Sequence, residues 1–335
     1  MRHLAARIAG LAWLIAACLP TAAAADDLVL NLPVACAMGE VCHIQNYFDH
    51  DPGPGRMDYA CGRLGYDGHD GTDIRVPDLP TMRQGVAVVA AAPGVVSALR
   101  DGMDDVSVRV SGAAAVEGRE AGNGVVIDHG NGWETQYSHL KKGSIVVTRG
   151  QRVEAGTPLG LIGLSGLTEF PHVEFAVRYQ GRPVDPFVGR AAFRACGDER
   201  RSLWSTEVAA RLGYRATGPL IAGFATERPD GDAAQDGRYA ADRLPTDAPA
   251  LVFWAEVFGT EKGDVQRLRI EGPDGGAIVD QAGPLADSNV QWFAFAGRKR
   301  PAGGWPPGTY TGTYTLSRDG RPIVTMVREV AVGGG

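Results

Sequence analysis

Positive charge is scarce in this sequence: 33 Lys and Arg stand against 39 Asp and Glu, for a net charge of −6. Proteins that bind nucleic acid gather basic residues on one face to meet the phosphates. No basic patch and no interleaving of basic with aromatic residues supplies such a face, so nucleic acid is excluded as the main partner. Long apolar runs are missing as well. The stretch from Ile8 to Leu19 ends at Pro20 and falls short of the roughly 20 residues a membrane helix needs; no other stretch reaches that length. Cysteine is sparse, five in 335 residues, and no Cys-x-x-Cys pair occurs, which argues against a thiolate zinc site. There is no repeat of solenoid period and no low-complexity tract beyond Gly333-Gly334-Gly335.

What remains is ordinary globular composition, 44% hydrophobic and 21% charged, in a chain long enough for two domains. The start, Met1-Arg2-His3-Leu4-Ala5-Ala6-Arg7, is cationic, the apolar segment follows, and Thr21-Ala22-Ala23-Ala24-Ala25 offers small residues for cleavage before Asp26-Asp27. That order predicts a secretory signal peptide over residues 1–25 and an exported, periplasmic or extracellular protein. Ile15-Ala16-Ala17-Cys18 is the alternative, a bacterial lipobox that would anchor the chain through lipid on Cys18. Removal of the signal leaves Cys36, Cys42, Cys61 and Cys196. Four cysteines in an oxidising compartment suggest two disulfides with three possible pairings. Cys36–Cys42 as a small loop and Cys61–Cys196 as a staple across the middle region is the favoured pairing.

Texture divides the rest. Residues 26–60 form a turn-rich leading segment, with Asp51-Pro52-Gly53-Pro54-Gly55 as its loop. Over residues 61–195, short Val- and Ile-rich runs alternate with Gly, which predicts strands joined by tight turns, mostly antiparallel. Asn131-Gly132 between Val125-Val126-Ile127-Asp128-His129 and Trp133-Glu134-Thr135-Gln136-Tyr137 reads as a hairpin turn, with Asp128 and His129 structural, as are His43 and His50. Met103 to Ala121 is expected to be an insertion or a hairpin. Residues 196–217 form a connector, and helical spacing runs from Arg190 to Leu212 through Leu203, Val208 and Leu212. Residues 218–335 alternate as strands, and Arg318-Asp319-Gly320-Arg321 marks a hairpin turn. Their order predicts an immunoglobulin-like β-sandwich whose Trp254, Trp292, Phe293, Trp305 and Tyr310 are expected to serve core packing, with stacking on a sugar or a partner as the alternative.

Chemistry concentrates in two short segments of the middle region. Gly68-His69-Asp70-Gly71-Thr72-Asp73 carries an imidazole and a carboxylate four residues apart. An extended chain would hold them about 13 Å apart at ~3.3 Å per residue, so sharing one ion requires a bend, and Gly71 is where a bend costs least. Pro171-His172-Val173-Glu174-Phe175-Ala176-Val177 alternates. As a strand it turns His172, Glu174 and Ala176 to one face and Val173, Phe175 and Val177 to a core.

These segments, with Tyr137-Ser138-His139-Leu140 between them and Pro183-Val184-Asp185-Pro186 after them, occur in the order of a known family. Residues 60 to 190 resemble the lysostaphin-type (LytM-like) zinc metallopeptidases, which cut peptide bonds in bacterial cell-wall peptidoglycan. The resemblance implies a mainly β fold with an antiparallel β-sheet groove, peptidoglycan cross-link peptides as substrate and one zinc ion. It places the metal ligands at His69, Asp73 and Glu174, and the catalytic histidines at His139 and His172. At Glu174 the family pattern has a histidine. Two histidines and one aspartate leave a Zn²⁺ centre with a net charge of about +1, whereas His69, Asp73 and Glu174 bring it to about zero. Such a centre polarises a scissile carbonyl less well, and its oxygen-richer ligand set tilts preference toward Mn²⁺ or Mg²⁺. Two outcomes follow: a retuned metalloendopeptidase, or a degenerate relative that binds wall peptides or regulates another hydrolase.

Overall fold

A computed structural model describes residues 27–333 except 192, 194, 198 and 199. The expected signal peptide and Cys18 therefore lie outside the described residues. No helix among the described residues is long and apolar enough to cross a membrane.

The first part of the chain runs through β1 (His43–Asn46), β2 (Thr72–Arg75), α1 (Leu79–Gln84), β3 (Ala87–Val89), β4 (Gly94–Arg100), α2 (Val108–Ser111), β5 (Asn123–Gly130), β6 (Trp133–Leu140), β7 (Arg152–Val153), β8 (Pro158–Leu161), β9 (His172–Tyr179), β10 (Arg182–Pro183) and α3 (Thr206–Arg211). Eight of these strands form one sheet in the order β1-β2-β9-β6-β5-β4-β7, with β10 beside β9, and β3 pairs with β8 in a small second sheet. All pairings in both sheets are antiparallel. The β5–β6 hairpin turns on Asn131 (φ 52°) and Gly132 (φ 84°). Two successive left-handed residues match the twist of the flanking strands, which is why Asn-Gly suits this turn. His129 is structural as expected: it bridges the Pro93 carbonyl and the Thr135 hydroxyl.

Two segments depart from the periodicity. Met103 to Ala121 is an insertion between the paired strands β4 and β5, with α2 and a 3-10 turn at Ala113–Val116 rather than a hairpin; α2 starts at the Ser107 cap. Within Arg190 to Leu212 only Thr206–Arg211 is helical, starting at the Ser205 cap. The backbone just before it is engaged elsewhere: Leu203 exchanges hydrogen bonds with Pro186 and Leu30, which holds it out of a helix. Cys36 is bonded to Cys42 and Cys61 to Cys196, with Cα separations of 6.1 and 5.8 Å, within the usual span of a disulfide.

The second part comprises β11 (Gly218–Ala225), α4 (Gly231–Gln235), β12 (Arg243–Leu244), β13 (Ala250–Thr260), β14 (Val265–Glu271), β15 (Ala277–Pro284), β16 (Asn289–Lys299), β17 (Gly308–Arg318) and β18 (Arg321–Val332). They make a three-stranded sheet, β11-β13-β16, and a five-stranded sheet, β12-β18-β17-β14-β15, in which only the short β12–β18 pair is parallel. One apolar core lies between the two sheets and takes Phe253, Val257, Tyr310, Tyr314 and Leu316. Trp305 and Tyr310 are buried in it and Trp292 packs against it. Trp254 turns the other way, with Phe258, into the core of the first part, and Phe293 packs on that same side. β13 is therefore covered on both faces, which explains its nearly unbroken apolar sequence from Leu251 to Phe258.

Candidate metal centre

Strand register builds the site. Asp73 on β2 stands opposite Glu174 on β9, and Glu174 stands opposite Ser138 on β6, so side chains from three neighbouring strands share one face. His69 enters from the turn before β2. Gly71 is needed at that turn, though not for an unusual φ: a Cβ there would sit 2.9 Å from Glu174 Cγ and 3.3 Å from its Oε1. The glycine makes room for the carboxylate.

The three expected ligands come together. One donor atom each from His69, Asp73 and Glu174 lies within 4.8 Å of the others. His69 Nε2 is 3.2 Å from Asp73 Oδ1 and 3.7 Å from Glu174 Oε1. Donors on a tetrahedral ion at about 2.1 Å stand roughly 3.4 Å apart, so this set fits a divalent cation with little movement. The ring orientations fit too. His69 Nδ1 lies 2.8 Å from the Tyr47 carbonyl, His139 Nδ1 2.7 Å from the Ser165 carbonyl, and His172 Nδ1 2.9 Å from the Phe170 carbonyl. A carbonyl only accepts, so each Nδ1 carries the proton and each Nε2 turns into the site, as in second shells that orient metal-binding histidines. His139 Nε2 is 3.5 Å from Glu174 Oε2, and His172 Nε2 is 3.5 Å from Asp73 Oδ1. Asn46 Nδ2 donates to the second oxygen of Asp73 at 2.8 Å.

Without a cation the two carboxylates draw protons onto their neighbours. Burial alone would lower the His69 pKa, but the Asp73 carboxylate and hydrogen bonds to Asp73 and Tyr47 raise it to about 9. Burial also opposes charge on His139, yet the hydrogen bond and charge of Glu174 raise its pKa. His172 goes the other way, down to about 4: burial dominates, the Asp73 carboxylate restores part of the loss, and the adjacent His139 lowers it a little further. Burial works against ionisation of Asp73 and Glu174, but their imidazole partners hold both below the ordinary carboxylate range. Two carboxylates this close repel one another, and the imidazoles of His69 and His172 beside Asp73 and of His139 and His69 beside Glu174 offset that repulsion. A divalent cation held by His69, Asp73 and Glu174 would take the place of the proton on His69 Nε2.

The cluster opens into a groove of about 670 Å³ lined by Asp73, His139 and His172. Its far wall is Ser288, Asn289, Val290 and Gln291 of the second part, a contribution with no sequence signal because those residues lie more than a hundred positions away. Arg75 was equally hidden. It is fully buried, stands opposite His172, and holds its guanidinium 4.7 Å from the centroid of the Phe170 ring. A charge inside Ile74-Arg75-Val76 was the one available hint, since a buried charge implies partners. His43 and His50 stay out of the cluster. His43 is buried, which lowers its pKa to about 4, and His50 pairs with Asp185.

Residues 67–186 match the family described as Peptidase family M23. The M23 likeness is carried by that segment, about a third of the chain. Its M23 segment is 46% identical over 65 residues to the peptidoglycan DD-endopeptidase ShyA of Vibrio cholerae, covering 19% of this chain and 15% of that protein. It is 32% identical over 120 residues to the DD-carboxypeptidase/endopeptidase Mpg of Neisseria meningitidis, covering 35% of this chain and 22% of that protein. The murein hydrolase activator EnvC of Escherichia coli is 39% identical over 62 residues, covering 18% and 14% respectively. The chain thus spans less than a quarter of the length of these relatives. Within the M23 segment the candidate ligand set is His69, Asp73 and Glu174, without the usual final histidine.

Proposed function

We propose that the protein is an exported metalloendopeptidase that acts on peptidoglycan cross-link peptides, with one zinc ion held by His69, Asp73 and Glu174 and with Mn²⁺ or Mg²⁺ as alternatives. One observation carries this: three imidazoles, each fixed through Nδ1 by a backbone carbonyl, aim Nε2 at two ionised carboxylates in an open groove. When bound, the cation supplies Lewis acidity to the scissile carbonyl. The chain's own groups do the rest. His172, neutral, accepts a proton at Nε2 from the attacking water and returns it to the leaving amine as the C–N bond breaks. His139, protonated and backed by the Ser165 carbonyl, donates at Nε2 to the developing oxyanion. Asn46 keeps Asp73 oriented. Glu174 cancels one more unit of cation charge than a histidine would, which slows the reaction without removing any of these parts.

Isolated cell wall incubated with the purified protein and Zn²⁺ or Mn²⁺ should release peptide-linked fragments, and His69→Ala should abolish the release. No release with either metal would overturn the proposal. A non-catalytic role in binding wall peptides or regulating another hydrolase is favoured by Glu174 alone and agrees with the likeness to the activator EnvC. It requires that the purified protein hold no stoichiometric metal, and turnover lost in the His69→Ala variant would exclude it.

The proposal places the chain outside the cytoplasm, supported by the paired cysteines and the leader-like residues 1–25, with a lipid anchor on Cys18 as the alternative to simple secretion. It also keeps the division at 61–195, 196–217 and 218–335 and reads the C-terminal part as an immunoglobulin-like sandwich, supported by two sheets around one core.

A further inference from the structure

The metal groove adjoins a cavity of about 220 Å³, and Arg56, Ser288, Asn289 and Val290 line both. For a chain of net charge −6 its lining is unusual: two guanidiniums, Arg56 and Arg63, stand against one carboxylate, Glu261. Glu261 is already paired with Arg318 at 2.6 Å. The nearby Asp58 is buried and saturated, since it accepts from the N–H groups of Ala60, Gly62 and Leu64 and from the Tyr214 hydroxyl at 2.8 Å. No hydrogen bond or ion pair among the described residues engages either guanidinium, and Arg56 Nε is buried without a partner. A buried N–H of this kind is costly to leave unpaired, and an acceptor bound in the cavity would satisfy it. Ser288 adds a third donor: its Oγ accepts from the Lys262 N–H at 3.0 Å, which leaves its own O–H to donate. The loop that carries Arg63 is held in place. Cys61 is bonded to Cys196, and a Cβ at Gly62 would overlap the Tyr214 hydroxyl.

We propose that this cavity binds a phosphate group, free or as the monoester of a small polyol, between the guanidiniums of Arg56 and Arg63 and the hydroxyl of Ser288. Three donors on separate segments suit an anion with more than two acceptor oxygens. A carboxylate has two, which the fork of Arg56 alone would fill, whereas a phosphate monoester presents three and a charge that repays both guanidiniums. The cavity is roomier than a phosphate, so a small substituent fits beside it. The site goes beyond the hydrolytic reading and does not depend on it: none of His69, Asp73 and Glu174 lines the cavity, and no metal is needed. It does act on the groove. Arg56 belongs to the leading segment and Ser288 to the C-terminal part, so a phosphate held by both joins the two walls and fixes the width of the metal groove on that side.

Calorimetric titration of the full-length protein tests this with inorganic phosphate and glycerol 3-phosphate as probes, in EDTA so that no metal ion takes up the anion. One equivalent of each should bind, and Arg56→Gln should weaken both by about tenfold or more, the size of one charge-assisted hydrogen bond. Arg56→Lys keeps the charge but not the fork and should recover part of that loss. Arg63→Gln, a change at an exposed side chain, should weaken both probes too, so a folding defect in one variant does not decide the outcome. Phosphate should also raise the urea midpoint of the native protein and leave that of Arg56→Gln where it is. Tighter binding of the ester would identify a phosphorylated polyol as the ligand, and equal affinities the phosphate group alone. No binding at millimolar phosphate, affinity untouched in both arginine variants, or succinate bound as tightly as phosphate would overturn the site.

Discussion

Gly71 and Glu174 are matched to one another, since the space a Cβ would need at position 71 is occupied by the glutamate side chain. Gly71→Ala should therefore push Glu174 out of the cluster while leaving the strands paired. Metal analysis of the purified variant should find less than one ion per chain, and unchanged stoichiometry would mean that Glu174 is not a ligand. Glu174→His tests the charge argument from the other side. It returns the centre to about +1, so wall-peptide release per bound ion should rise by about tenfold or more, since polarising power is what the ion contributes; an equal or lower rate would show that this side chain does not limit turnover. Side chains with chemistry of their own were legible at this scale: His69, Asp73, His139, His172 and Glu174 could all be named from the order of the motifs that carry them. The groups that orient them were not. The carbonyls of Tyr47, Ser165 and Phe170 belong to no side chain, and their identity depends on where three separate loops cross.

Among the elements, turns chosen by left-handed residues were readable and segments decided by their neighbours were not. Asp319 (φ 51°) and Gly320 (φ 74°) close the β17–β18 hairpin as Asn131 and Gly132 close β5–β6. α2 is instead tied by Ser107 and Arg109 to Glu169, some sixty residues on, which no local pattern reports. Between β13 and β14 a tertiary clasp takes over. Arg318 at the end of β17 donates to both oxygens of Asp264, each at 2.8 Å, and Asp264 also accepts from the Glu261 N–H. Burial would raise the Asp264 pKa, but these bonds hold it below its ordinary value of 3.8. A depressed folded-state pKa means that the clasp's stabilisation is complete above that ordinary value and is lost as pH falls through the folded one. Asp264→Asn should cost about 1–3 kcal/mol at neutral pH in urea unfolding. The gap from the native protein should close below pH 3.8; a gap constant with pH would show that the carboxylate's charge plays no part.

At the scale of the whole molecule, the three-stranded sheet is the shared wall between the metal site and the C-terminal core, and a small polar network crosses it. Glu256 is the single charge in the buried stretch of β13. It accepts from Gln235 and Gln291, and Gln291 in turn accepts from Arg75 at 3.4 Å. Burial raises the Glu256 pKa and lowers that of Arg75 to about 10, while each charge favours the other. Neither ion has water to fall back on. Arg75→Met should therefore destabilise the protein by about 3–5 kcal/mol, chiefly by leaving Glu256 buried without a counter-charge. Arg75→Met combined with Glu256→Leu should recover a good part of the loss, because the second change removes the stranded ion. Urea unfolding of the two single variants and the double variant measures the coupling, and strictly additive losses would mean that the two parts touch without depending on each other. The same network reaches the chemistry: Arg75 lies against the Phe170 ring, and the Phe170 carbonyl orients His172. Arg75→Met should then slow wall digestion even under conditions where it is fully folded, whereas a variant that loses stability but keeps its native rate would confine the interface to a structural role.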